Sequence, residues 1–184
     1  ESMDRALFNQ QVEHAAVTVS ESALDVSGSV LQVICVRMQD TQYAIELKYV
    51  ECVLPLMELQ PVPGSAYYLA GLMDYHGKSV AVVDLGMWLG LNNNEAYHLD
   101  TPVIVCGGGS AQLALIVSEI LRVETIQPSA IHLQALFNEG STPFKASLKL
   151  SSGIVLLLDM PRILNINFTT ANSLSSLVPC SFER

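Results

Sequence analysis

An all-β fold of small barrels, rather than a parallel sheet, is predicted for this 184-residue chain. Two observations carry the expectation. Short apolar runs of strand length recur at close spacing, with turn signals between them. Two stretches, KSVAVVDL at 78–85 and SGIVLLLDM at 152–160, also echo each other. Each is a hydrophobic strand running into an aspartate-capped turn of helix, which points to two similar halves. Half of the residues are hydrophobic and 15% are charged, enough apolar material for a substantial core.

The elements follow in order. Residues 1–29 are polar with scattered Ala and Val and read as a tail or accessory arm ending in Ser27-Gly28-Ser29; a weak amphipathic pattern covers 4–16. Strands are expected at 31–38 and 43–47 across a polar turn, a hairpin pattern. A helical turn at 48–50 and a strand at 51–56 come next. Pro61-Val62-Pro63-Gly64 forms a stiff turn, because proline fixes φ and glycine permits positive φ. Strands at 71–76 and 79–83 meet at Gly77-Lys78, a hairpin signal. Asp84 caps a helical turn at 85–89. After a polar linker at 92–100, strands are expected at 101–106, 111–119 and 122–126, the first turned back by Gly107-Gly108-Gly109. Residues 128–140 are irregular, with a mobile loop at 138–143. Strands at 144–149 and 153–158 precede a helix capped by Asp159, with Pro161 at its start and Leu164 at its end. Residues 166–184 read as a C-terminal tail.

Composition excludes several functions. Nine Lys+Arg against eighteen Asp+Glu give a net charge of −9, and no two basic residues are adjacent, so nucleic acid is not an expected partner. The apolar runs are strand-sized, well short of the ~20 residues that span a bilayer, so no direct membrane insertion is expected. The mean hydropathy of +0.37 fits strands buried on one or both faces. Cys35, Cys52, Cys106 and Cys180 form no CxxC pair and have no histidine at ligand spacing. Cys35, Cys52 and Cys106 lie in apolar strand patterns and read as core filler, and the unpaired cysteines point to a reducing cytoplasm. Gly107-Gly108-Gly109-Ser110 lacks the helix and lysine of a phosphate cradle, and no GxSxG elbow is present. His14, His76, His98 and His132 are scattered, and Asp84 and Asp159 read as helix caps. No catalytic residue, metal site or cofactor is expected, and the chain does not read as an enzyme.

The run strand, proline-marked turn, strand, tight turn, strand, capped helix over 49–90 resembles the CheW family of bacterial chemotaxis scaffolds. The strand at 113–123 and the LLLDM end extend the likeness over about residues 30–165. The resemblance implies two SH3-like five-stranded β-barrels around a shared hydrophobic core, a first barrel at about 30–91 and a second at about 101–165. It implies a cytoplasmic adaptor at membrane-associated receptor arrays, joining the regulatory domain of a CheA-like histidine kinase to the cytoplasmic tip of a methyl-accepting receptor. A kinase-binding surface is then expected at Tyr43, Ile45 and Val53, and a receptor-binding surface at Val50, Ala70, Gly71 and His76. In Gly71-Leu72-Met73-Asp74-Tyr75-His76-Gly77 the family usually has asparagine at position 74 and arginine at position 76. Ser118 stands where aspartate is usual. Histidine in place of arginine removes a permanently charged, forked donor, or else serves only the hairpin turn. Two alternatives remain: an adaptor of a non-flagellar pathway (twitching motility, surface sensing or second-messenger output), and a small-molecule sensor.

Overall fold

The computed structural model describes residues 30–91, 96–132 and 142–168. Strands β1 (Leu31–Met38) and β2 (Thr41–Glu46) form the first hairpin, and a 3₁₀ turn, Leu47–Tyr49, leads into β3 (Val50–Pro55). Strands β4 (Leu69–Tyr75) and β5 (Lys78–Asp84) precede the short helix Leu85–Trp88. A second hairpin of β6 (Pro102–Gly108) and β7 (Ala111–Ile116) is followed by β8 (Glu119–Ile126) and a 3₁₀ turn, Pro128–Ala130. The two-residue β9 (Ile131–His132), β10 (Phe144–Leu150), β11 (Gly153–Leu158) and the helix Met160–Leu164 complete the order. Both aspartates cap as expected: Asp84 Oδ1 accepts from Met87 N at 2.9 Å, and Asp159 Oδ1 from Arg162 N at 3.4 Å.

Some local expectations shift. The β4–β5 turn is His76-Gly77, not Gly77-Lys78, because Tyr75 pairs with Lys78. Gly107 and Gly108 continue β6, and the chain turns at Gly109, where φ is 63°. These two glycines make room rather than bend the chain. A Cβ at Gly107 would lie 2.0 Å from Glu51 Oε1, and one at Gly108 would lie 2.9 Å from the Leu164 side chain. The long strand expected at 111–119 breaks at Val117-Ser118. The tail 1–29, most of the loop at 138–143, residues 169–184 and Cys180 lie outside the described residues.

The two sheets do not follow the two halves of the chain. One has the order β8-β1-β2-β11-β10-β9 and the other β3-β6-β7-β5-β4. The β1–β2 hairpin therefore sits in the sheet of the later strands, and the β6–β7 hairpin in the sheet of the earlier ones. Boundaries at 91 and 101 separate the sequence repeats but not the sheets. The exchange is joined by parallel pairings, β2 with β11 and β5 with β7, which no local turn specifies. Register repeats across it: Val53 faces Ile104 as Val123 faces Ile34, and Cys52 faces Val105 as Arg122 faces Cys35.

Each exchanged hairpin is buried on both faces. Ile34, Val36, Tyr43 and Ile45 from one, and Ile104, Cys106, Leu113 and Leu115 from the other, meet in a cluster shared by the sheets. The intervening Val33, Cys35 and Ala44 fill the six-stranded sheet's own core, and Val103, Val105 and Ala114 fill that of the five-stranded sheet. Alternation therefore distributes side chains between two cores instead of between core and water. The buried cysteines fit this role, and burial raises the Cys35 thiol to about 11, away from reactive thiolate.

Within the exchanged hairpins, Glu46 is the buried charged residue, 1% exposed at the end of β2. Lys145 reaches it from β10, and Lys48 Nζ lies 2.7 Å from its other oxygen. Burial alone would raise its carboxyl, but the hydrogen bonds and charges of the two lysines outweigh burial and hold it below its ordinary value. A depressed carboxyl contributes stability above its unfolded pKa, and this is lost as pH falls through the folded one. Lys145→Met should therefore cost about 1–3 kcal/mol at neutral pH, since it leaves a buried carboxylate half-paired. In urea titrations at several pH values, the gap to wild type should close in acid, once Glu46 is protonated in both proteins. A gap independent of pH would exclude the ion cluster as its source.

Candidate docking surfaces

The curled five-stranded sheet brings its two edges, β3 and β4, together along a seam. Beyond β3 the chain crosses over, and Gln60 exchanges hydrogen bonds of 2.8 and 2.9 Å with Leu72 of β4. Gly71 permits the approach, because a Cβ there would stand 2.7 Å from the Gln60 carbonyl oxygen and 3.1 Å from Leu59 Cβ. Further along, the Tyr75 hydroxyl and the Cys52 thiol lie 3.2 Å apart, tying the end of β4 to β3. That hydrogen bond, with burial second, raises the Tyr75 hydroxyl to about 12, so it stays a neutral phenol. In the other sheet Arg122, register-equivalent to Cys52, reaches across to Ser152 Oγ at 2.6 Å. One seam is thus closed by a weakly polar thiol–phenol contact and the other by a guanidinium.

His76 sits at the tip beside this tie. Its φ is 51° and that of Gly77 is 75°, the two consecutive positive values that a type I′ hairpin turn requires. Asp74 Oδ1 accepts from Gly77 N at 2.8 Å, an acceptor role that asparagine could also fill. The imidazole is exposed and meets the Tyr75 ring edge-on, with centroids 4.4 Å apart. Its backbone serves the turn while its ring faces solvent.

The expected site residues divide by burial. Tyr43 and Ile45, expected at the kinase-binding surface, are 5% and 0% exposed in the shared core, with Tyr43 stacked on Phe144 at 5.9 Å. The reason is topological: β2 is an inner strand between β1 and β11, and from Tyr43 onward one face packs into the shared core and the other into the six-stranded sheet's own core. Val53 is half-buried on the β3 edge and packs on the same cluster. Val50 begins β3, Ala70 lies on β4, and both are half-buried. Gly71 is buried and structural. Val50, Val53, Ala70 and His76 therefore lie on the strands that flank one seam, or on its hairpin tip. Cys52 and Tyr75, which hold the seam, were missed by sequence reasoning, because their contact depends on sheet closure. Among the described residues no group of three or more His, Cys, Asp or Glu could hold a metal ion, and no helix is long and apolar enough to cross a membrane.

The sequence pattern of the CheW-like domain matches residues 32–167, from β1 to just past the last helix. The chain belongs to the CheW-like domain family. Within it, the chemotaxis protein CheW of Thermotoga maritima is 21% identical over 133 residues, which cover 72% of this chain and 87% of that protein. The crystal structure of the scaffolding protein TtCheW from Thermoanaerobacter tengcongensis superposes with a TM-score of 0.67 at 16% identity, covering 76% of this chain and 95% of that one. The CheW-like domain thus spans both sheets, the exchanged hairpins and their shared core.

Three substitutions at two positions test the seam. His76→Asn should stabilise the protein by up to about 1 kcal/mol, because asparagine tolerates positive φ better, whereas His76→Val should destabilise it. Gly71→Ala should cost more than about 1 kcal/mol, since its methyl meets backbone. Chemical denaturation reads all three, and a silent Gly71→Ala would contradict the close approach of Gln60.

Proposed function

We propose that this CheW-like domain is a non-enzymatic adaptor that couples the regulatory domain of a CheA-like histidine kinase to the cytoplasmic tip of methyl-accepting receptors. The single observation that carries the reading is the CheW-like domain over residues 32–167. The described residues add a surface of apolar strand edges without a catalytic constellation. In this reading Val53 supplies the side-chain contact to the kinase on the β3 edge, while Tyr43 and Ile45 belong to the core cluster on which Val53 packs. Val50, Ala70 and the His76 tip face the receptor's helical hairpin, an amphipathic helix lying in a groove. Gly71 contributes by allowing the seam to close. Signal passes through differential contacts in the kinase's two states, not through chemistry on this chain.

Calorimetry against the kinase regulatory domain tests the coupling directly. Saturable one-to-one binding is expected, weakened at least about tenfold by Val53→Glu, which places an unpaired charge in an apolar contact. Ala70→Glu and His76→Glu should weaken receptor pull-down while leaving kinase binding intact. Equal loss of both partners in either variant would refute the division of surfaces, and no kinase binding by the folded protein would remove the adaptor reading.

A further inference from the structure

Large apolar side chains are exposed at the end of the five-stranded sheet away from His76. Met57 is 41% exposed, Tyr67 68%, Tyr97 42% and Leu99 87%. Hydrogen bonds connect the segments that carry them. Leu56 N donates to the Thr101 carbonyl at 2.8 Å, which sets Met57 beside the turn at 98–101. That turn is closed by Thr101 N to the His98 carbonyl at 3.0 Å and by His98 N to Thr101 Oγ1 at 2.8 Å, leaving Leu99 and Asp100 at its apex. The Tyr97 hydroxyl donates to Asp84 Oδ2 at 2.6 Å, strapping the turn across to the end of β5. Asp84 N in turn donates to the Tyr68 carbonyl at 2.9 Å, next to Tyr67.

The Tyr97–Asp84 strap is a firm one. Asp84 is 1% exposed and uses its other oxygen to cap the following helix. Burial, and then the bond to Asp84, raise the Tyr97 hydroxyl above its ordinary value, so it donates as a neutral phenol. Leu99 is thereby held out to solvent on a tied segment, not on a loose one. A pre-ordered apolar surface loses little conformational freedom when a partner covers it.

Charge indicates the kind of partner. Residues 55–69, 84–91 and 96–103 contain Glu58, Asp84 and Asp100 but no Lys or Arg, and Glu58 and Asp100 are exposed. We propose that this end of the sheet is a further docking surface, separate from those proposed for kinase and receptor, which takes a protein segment that interleaves apolar side chains with Lys or Arg. It stands about 20 Å from the His76 tip, the length of β4. A second copy of this chain is disfavoured as occupant, because its net charge of −9 would set acid against acid.

The test uses the full chain and a synthetic peptide alternating Leu and Lys, with its Leu/Glu counterpart as control. The Leu/Lys peptide should bind saturably at one-to-one stoichiometry, and the control should not. Leu99→Ser and Tyr67→Ser, both at exposed positions, should weaken binding at least about fivefold, as should Asp100→Lys. Equal binding by wild type and all variants would reduce the effect to diffuse charge attraction and overturn the proposal. Several-fold tighter binding by a chain ending at Phe168 would assign the surface to the chain's own C-terminal residues, which also overturns it. Loss of kinase-domain binding in Leu99→Ser would place the kinase here and end the claim of a separate partner.

Discussion

The shared core between the two sheets is the constraint on which the rest of this molecule depends. Each sheet borrows a hairpin from the other half of the chain, and each borrowed hairpin is buried on both faces. One face fills the sheet's own interior and the other fills the interface between sheets. Neither sheet could lose its partner without exposing a full apolar face, at roughly 25 cal/mol for each Å² returned to water. The arrangement also accounts for the positive mean hydropathy in a chain whose described helices are all short. A hairpin with no polar face needs apolar residues at successive positions rather than at alternate ones.

Closing the seams completes the arrangement and shapes its surface. Gly71 lets Gln60 reach β4, and the Cys52–Tyr75 contact finishes the closure beside the β4–β5 tip. His76 is held where backbone demands and exposure coincide. Its left-handed conformation suits a tight turn, while its ring projects into solvent against Tyr75. A change of side chain at position 76 therefore alters what the tip presents without changing how the tip is built. The rigid fork of a guanidinium is replaced by a flat ring.

The two ends of the five-stranded sheet differ in chemistry. At one, half-buried Val and Ala positions flank the seam and His76 marks the tip. At the other, aromatic and aliphatic side chains surround an acidic rim that Tyr97 fastens to Asp84.

How much was legible in the residues follows from the range of the interactions. The chain by itself determined the all-β class, the β1–β2 hairpin, the β4–β5 hairpin to within one residue, and both aspartate caps. Those features are set by neighbours a few positions apart, and the recurring motifs over 49–90 sufficed to mark the resemblance to the CheW family. Only the tertiary structure decided which hairpin joins which sheet. The parallel pairings β2–β11 and β5–β7 join distant segments, and nothing local distinguishes an exchanged hairpin from a retained one. That decision placed Tyr43 and Ile45 inside, although their run looks like any half-exposed strand. It also brought Cys52 to Tyr75 and Tyr97 to Asp84. Local chemistry wrote the elements, and burial on both faces of the exchanged hairpins decided what was left on the surface.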